Sequence, residues 1–152
     1  MQTPNRSRPL WHDVIQHGNA HFTAGRYEDA LAAFDRALTM VDRLLAGCRV
    51  DVALLISKIV THLNRATTLV RLKRYMDADA AFRQGHGVAQ AIVEEQTFPE
   101  NLRHAARCHC RMIFSEWQVF RSEHGHPLNH PAEAAFAASF EASSAAASAT
   151  IH

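Results

Sequence analysis

Two stretches of this chain are versions of one another. Arg26 to Ala37 reads RYEDALAAFDRA and Arg74 to Gly85 reads RYMDADAAFRQG; seven of twelve positions are identical, without a gap, at an offset of 48 residues. A repeat constrains a fold more than any local propensity does. Each copy is one supersecondary unit that cannot bury its apolar face alone, so successive copies must stack. In both copies an alanine (Ala30, Ala78) stands one helical turn before a phenylalanine (Phe34, Phe82), with a tyrosine (Tyr27, Tyr75) at the start. The spacing predicts the second helix of a helix–turn–helix pair. The alanines let that helix press on the first, the phenylalanines fill the gap between hairpins, and the tyrosines cover the turn.

The rest of the chain reads as helix too. Its 152 residues predict one domain with at most an appendage, and 47% hydrophobic against 20% charged residues is ordinary for a globular chain. The five prolines, Pro4, Pro9, Pro99, Pro127 and Pro131, sit at the edges of periodic segments. Apolar residues recurring at three and four predict helices from about Leu10 to Ala24, Tyr27 to Ala46, Val50 to Leu72, Tyr75 to Glu95, and from Pro99 to about Glu123. Gly25 and Gly47 end the first two, and Gly85-His86-Gly87 marks a kink or an end in the fourth. Residues 1–9 read as a flexible arm, 10–126 as the helical domain, and 127–152 as an Ala/Ser-rich tail, partly disordered.

Composition also excludes functions. A net charge of +1 argues against nucleic acid. No apolar run approaches the ~20 residues of a membrane span, since Val52–Ile56 is closed by Lys58. The polar start has no apolar segment of the secretory kind behind it. Three cysteines, two of them one residue apart, make no disulfide framework, so a reducing cytoplasm is the expected compartment. Nothing resembles a glycine-rich phosphate loop, a nucleophile elbow or paired catalytic carboxylates. Neither catalysis nor a cofactor is expected.

On the residues of the repeat, the chain resembles the tetratricopeptide repeat family. Gly18, Gly25, Tyr27, Ala30, Phe34 and Ala37 fall at that family's spacing, and Ala66, Leu69, Lys73, Tyr75, Ala78, Phe82 and Gly85 form a weaker second copy. Val14 and His21 stand where the family has Trp and Tyr. The offset of 48 exceeds the family's period of about 34, so the helices flanking Gly47 must be longer than usual. The resemblance implies an all-α, right-handed stack of antiparallel hairpins, about five helices with extended helices and a capping C-terminal helix. It also implies a non-catalytic adaptor or small chaperone whose concave groove holds a peptide or partner helix. The groove positions map onto His12, Ile15, Asn19, Phe22 and Thr23, then Val60, Leu63, Asn64, Thr67, Val70 and Arg71. Asn19 and Asn64 match the asparagines of members that clamp a terminal carboxylate. The lysine expected one turn before the first is Ile15, which leaves the asparagines a ligand's backbone to bond, while the apolar positions with cationic Arg71 suit an amphipathic segment bearing an acidic residue. Ile15, Phe22, Leu63 and Val70 equally suit plain core.

Eleven histidines invite a second reading, a metal-binding or metal-responsive helical protein. His104 and Cys108 share a helix face, and His124 and His126, with His130, could complete a site if the chain turned back. His109 and Cys110 lean instead toward the stripe of Leu102, Ile113, Trp117 and Phe120. His17 and His21 repeat the i,i+4 spacing without an intervening glutamate. Arg103, Arg107 and Arg111 form a row that suits an acidic partner or a solvated helix back. The apolar stripe of the fifth helix is expected to cap the stack or to pair with a second copy as a homodimer.

Overall fold

The computed structural model describes residues 7–47 and 51–124. Five helices follow in order: α1 (Ser7–Thr23), α2 (Tyr27–Leu45), α3 (Val52–Arg71), α4 (Tyr75–Glu94) and α5 (Glu100–His124). The described residues contain no strand, and the fold is all-α as the periodicity predicts. None of these helices is long and apolar enough to cross a membrane. The chain divides into two units, one ending at Val119 and one beginning at Phe120. The predicted tail, residues 127–152, lies outside the described residues, and so do residues 1–6 of the predicted arm.

Helix ends follow local chemistry. α1 starts at Ser7, earlier than expected, with Pro9 inside its first turn, where no backbone N–H is needed. The Asp51 carboxylate caps α3 by accepting from the Leu54 N–H at 3.1 Å. Pro99 immediately precedes α5, and its carbonyl accepts from Arg103 N at 3.1 Å.

Consecutive helices pack against one another, α1 on α2, α2 on α3, and α3 on α4. The first three meet in apolar clusters built from Trp11, Val41 and Leu54 and from Val14, Ala33 and Ala37. Lys58 pairs with Asp42 at 2.8 Å and Arg65 with Asp35 at 2.5 Å, a descending order that fixes α2 and α3 as antiparallel. On α3, Thr61 and Thr68 are fully buried, and each hydroxyl donates to the carbonyl four residues back, Ser57 and Asn64. Their polarity is satisfied within the helix. α5 runs back along α4. Arg103 Nε donates to the Val93 carbonyl at 3.1 Å, and Trp117 Nε1 donates to Asp79 Oδ1 at 2.7 Å. The Arg83 guanidinium, paired with Asp79 at 3.0 Å, lies 5.9 Å above the Trp117 ring. In the second unit, the described residues Phe120 and Arg121 are buried, and the Phe120 and His124 rings lie 5.1 Å apart.

Gly85-His86-Gly87 does not end α4, which is continuous from Tyr75 to Glu94. The reason is packing. A Cβ at Gly85 would stand 2.9 Å from His62 Cβ and 3.4 Å from Ile113 Cδ1, so glycine admits α3 and α5 against α4. Gly87 has open space around it.

The repeat extends to the turns. At the end of α1, Arg26 N donates to the His21 carbonyl at 2.9 Å and Gly25 N to Phe22 at 3.0 Å. At the end of α3, Arg74 N donates to Leu69 at 2.9 Å and Lys73 N to Val70 at 3.0 Å. These are the nested bonds of one helix-ending motif, displaced by the repeat offset. That motif requires a left-handed residue, which is Gly25 (φ 77°) in the first copy and Lys73 (φ 59°) in the second. A side chain there costs about 1–2 kcal/mol. Lys73→Gly is therefore expected to stabilise the protein by about 1 kcal/mol, a rise of a few degrees in Tm. Gly25→Ala is expected to lower it by a similar amount. Thermal denaturation of both variants checks the pair, and an unchanged or lower Tm for Lys73→Gly contradicts the turn assignment.

Candidate functional site

The α1–α2 turn brings Phe34 under α1. A Cβ on Gly18 would lie 2.6 Å from Phe34 Cε1, so the ring rests directly on the Gly18 backbone. Only 1% of Phe34 is exposed, yet its ring forms the floor of a pocket. The walls are Asn19, Phe22 and Thr23 from α1 and Asn64 and Thr67 from α3, enclosing about 230 Å³. Asn64 Nδ2 donates to Asn19 Oδ1 at 3.2 Å, a side-chain bond between the first helices of successive hairpins. Thr23 Oγ1 donates to the Asn19 carbonyl and Thr67 Oγ1 to the Leu63 carbonyl, both at 3.0 Å. Those hydroxyl protons are engaged within their own helices. Tyr27 meets Phe22 edge-on at 5.3 Å, which steadies the wall.

Five of the eleven groove positions thus converge: Asn19, Phe22, Thr23, Asn64 and Thr67. The other six, Val60, Leu63 and Val70 among them, do not line this pocket. Ile15 is half-buried and packs against both apolar clusters, so it serves the core. His12 is exposed, its ring stacked on Trp11 at 4.0 Å. Arg71 is exposed near the end of α3. The sequence shows Phe34 only as a wedge. Its second role as floor follows from Gly18, the one glycine inside α1.

Most of the histidines described have structural partners. His21 Nδ1 accepts from Arg26 Nε at 3.0 Å and ties the turn. His109 Nδ1 bonds the Ala105 carbonyl at 2.8 Å, and His86 lies 6.2 Å from the Phe114 ring and 6.0 Å from that of Trp117. His104 Nε2 and Cys108 Sγ are 3.8 Å apart, but among the described residues no three His, Cys, Asp or Glu side chains gather as a metal site requires. His126 and His130 lie outside the described residues. Burial pushes the Cys110 thiol up to about 11, which keeps it protonated at neutral pH. The arginine row is partly occupied: Arg103 pairs with Glu100 at 3.0 Å, and Arg107 bonds the same carboxylate. The Arg107 hydrogen bond, ahead of the nearby positive charges, holds the Glu100 carboxyl below its ordinary value.

His62 differs from these histidines. It is buried, and its Nδ1 has no partner. Burial first, then the charges of Lys58 and Arg65, lower its pKa to about 4 against a weak opposing pull from Asp42.

No known family model matches this chain, nor does any curated protein or solved structure. What the pocket can do must be read from its own atoms.

Two predictions follow from this geometry. Gly18→Ala is expected to destabilise the protein by about 1–3 kcal/mol despite alanine's better helix propensity, because the methyl meets the Phe34 ring; chemical denaturation measures it, and a stabilised variant refutes the contact. For His62, the folded pKa lies below the unfolded one, so the unfolded chain binds the extra proton as pH falls from about 6.5 toward about 4. Stability is retained above that window and lost within it. His62→Leu is expected to lose about 1–3 kcal/mol less than wild type between pH 7 and 4.5. Parallel losses in the two proteins would refute the assignment.

Proposed function

We propose that this chain is a non-catalytic protein–protein interaction module, an adaptor or small chaperone of tetratricopeptide-like build. It holds an extended peptide or partner helix along the side where α1 and α3 lie next to each other. The observation that carries this reading is the Asn19–Asn64 hydrogen bond at 3.2 Å on the rim of a pocket with an aromatic floor. Two uncharged amides on neighbouring helices suit a ligand's backbone, and Phe22 and Phe34 suit one of its side chains. The repeated turn geometry, with Gly25 and Lys73 in equivalent left-handed conformations, supports the hairpin-stack reading.

Selection of peptides from a random display library on the full chain tests the proposal. Thr67→Arg, which plugs the pocket from its half-buried edge, and the double variant Asn19→Ala/Asn64→Ala are each expected to weaken the selected peptides at least tenfold. Circular dichroism should remain that of the parent. Peptides that bind both variants as tightly as the parent would place the interaction elsewhere on the surface and remove the proposal.

A further inference from the structure

The pocket's unused hydrogen-bonding atoms define what it accepts. A primary amide carries two N–H donors and two acceptor lone pairs. The Asn64–Asn19 bond uses one donor of Asn64 and one lone pair of Asn19. Asn19 Nδ2 keeps both donors and Asn64 Oδ1 keeps both lone pairs, and neither side chain has another partner among the described residues. The bonded pair therefore offers a donor and an acceptor next to each other on one rim.

No ionisable residue lines this pocket. A ligand carboxylate would find donors on Asn19 but would set its second oxygen against the Asn64 carbonyl, with no counter-charge in the walls. An ammonium would meet the converse fault. A peptide unit satisfies both halves at once, its carbonyl accepting from Asn19 and its N–H donating to Asn64. The enclosed volume of about 230 Å³ lies below the range of roughly 300–1,000 Å³ in which small-molecule and cofactor sites fall. It suits one side chain. The floor is the Phe34 ring and one wall is Phe22, and with the Thr23 and Thr67 hydroxyl protons bonded to their own helices, the larger part of the surface offered to that side chain is apolar.

We infer that the pocket selects an uncharged, extended peptide segment. One aliphatic side chain enters between Phe22, Phe34 and Thr67, and the adjoining backbone amide is read by Asn19 and Asn64. Neither a terminal carboxylate nor an acidic side chain is required. This inference rests on the groove reading above and narrows it to a ligand class.

The test uses the 15N-labelled full chain titrated with N-acetyl-leucine N-methylamide, which carries one leucine side chain between two peptide units. Saturable shifts of the Asn19 and Asn64 side-chain NH2 resonances are expected, with a dissociation constant in the millimolar range for so small a probe. N-acetyl-leucine with a free carboxylate and N-acetyl-lysine N-methylamide are each expected to bind at least fivefold more weakly. In Asn19→Ala/Asn64→Ala the saturable shifts of the Phe22 and Thr67 backbone amides, present in the parent, are expected to vanish; if that variant unfolds, Thr67→Arg takes its place. No saturable shift at the two asparagines overturns the inference, as does equal or tighter binding of the carboxylate or the lysine probe. The two readings fail separately. Library peptides that carry a charged anchor and are still lost in Thr67→Arg would sink this inference and leave the groove standing. Amide-probe binding without any Thr67-sensitive library peptide would do the reverse.

Discussion

The contact between the Phe34 ring and the bare backbone of Gly18 sets the spacing of the first hairpin. A helix pair can approach this closely only where one partner lacks a side chain, and here the ring occupies the space a Cβ would need. Bringing α2 in at that distance lets Val14, Ala33 and Ala37 close into one cluster. The same ring is also the base of the pocket. One packing decision thereby fixes both the hairpin and the site. The second hairpin reaches a close approach by another route: Ala66 stands at the offset equivalent of Gly18, and the glycine has moved to α4, where Gly85 receives His62 and Ile113. The two copies share a turn and an apolar pattern, and they differ in which helix gives up its side chain.

Much of this was legible in the sequence because it depends on periodicity. The five helices, Ala30 and Ala78 fully buried, and Phe34 and Phe82 turned inward all follow from small and aromatic residues recurring at helical spacing. Positions that depend on a single backbone angle or a single distance were not. Lys73 gives no local sign that it adopts a left-handed conformation; only its alignment with Gly25 does. Gly85 reads as a breaker until His62 is found against it. The site was partly legible. Asn19 and Asn64, 45 residues apart, meet because α1 and α3 lie side by side, a relation the repeat implies. Ile15, His12 and Arg71 occupy groove positions in the repeat pattern, yet the rotation of each helix sends them to the core or to solvent away from the pocket.

Several of the described histidines are taken up in local packing for a common physical reason. Imidazole is flat, half apolar, and able to donate or accept at either end, so it serves where a helix must both pack and finish a hydrogen bond. His21 closes a turn through Arg26, His109 bonds one turn back along α5, and His86 joins the Phe114 and Trp117 rings. His62 is held neutral by burial between two cations, which makes it an acid-labile point in the α3 packing. The arginines of α5 are drawn in similarly, Arg103 and Arg107 onto Glu100. Composition counts the groups; the helix geometry assigns most of them to their own neighbours.

That assignment bears on how strongly the pocket can bind. On α3 the charges of Arg65 and Lys58 are taken up by Asp35 and Asp42, so neither is free to draw a ligand toward the α1–α3 side. A space of about 230 Å³ buries too little surface to hold a partner tightly, because association first has to offset the lost freedom of both molecules. Affinity must then come from length: an extended segment that continues past the pocket along both helices, or several such segments on one partner engaging several copies of this chain. Either route selects for a ligand that is already extended and needs little ordering. A short, neutral, aliphatic-bearing stretch of chain meets that requirement better than a folded surface does.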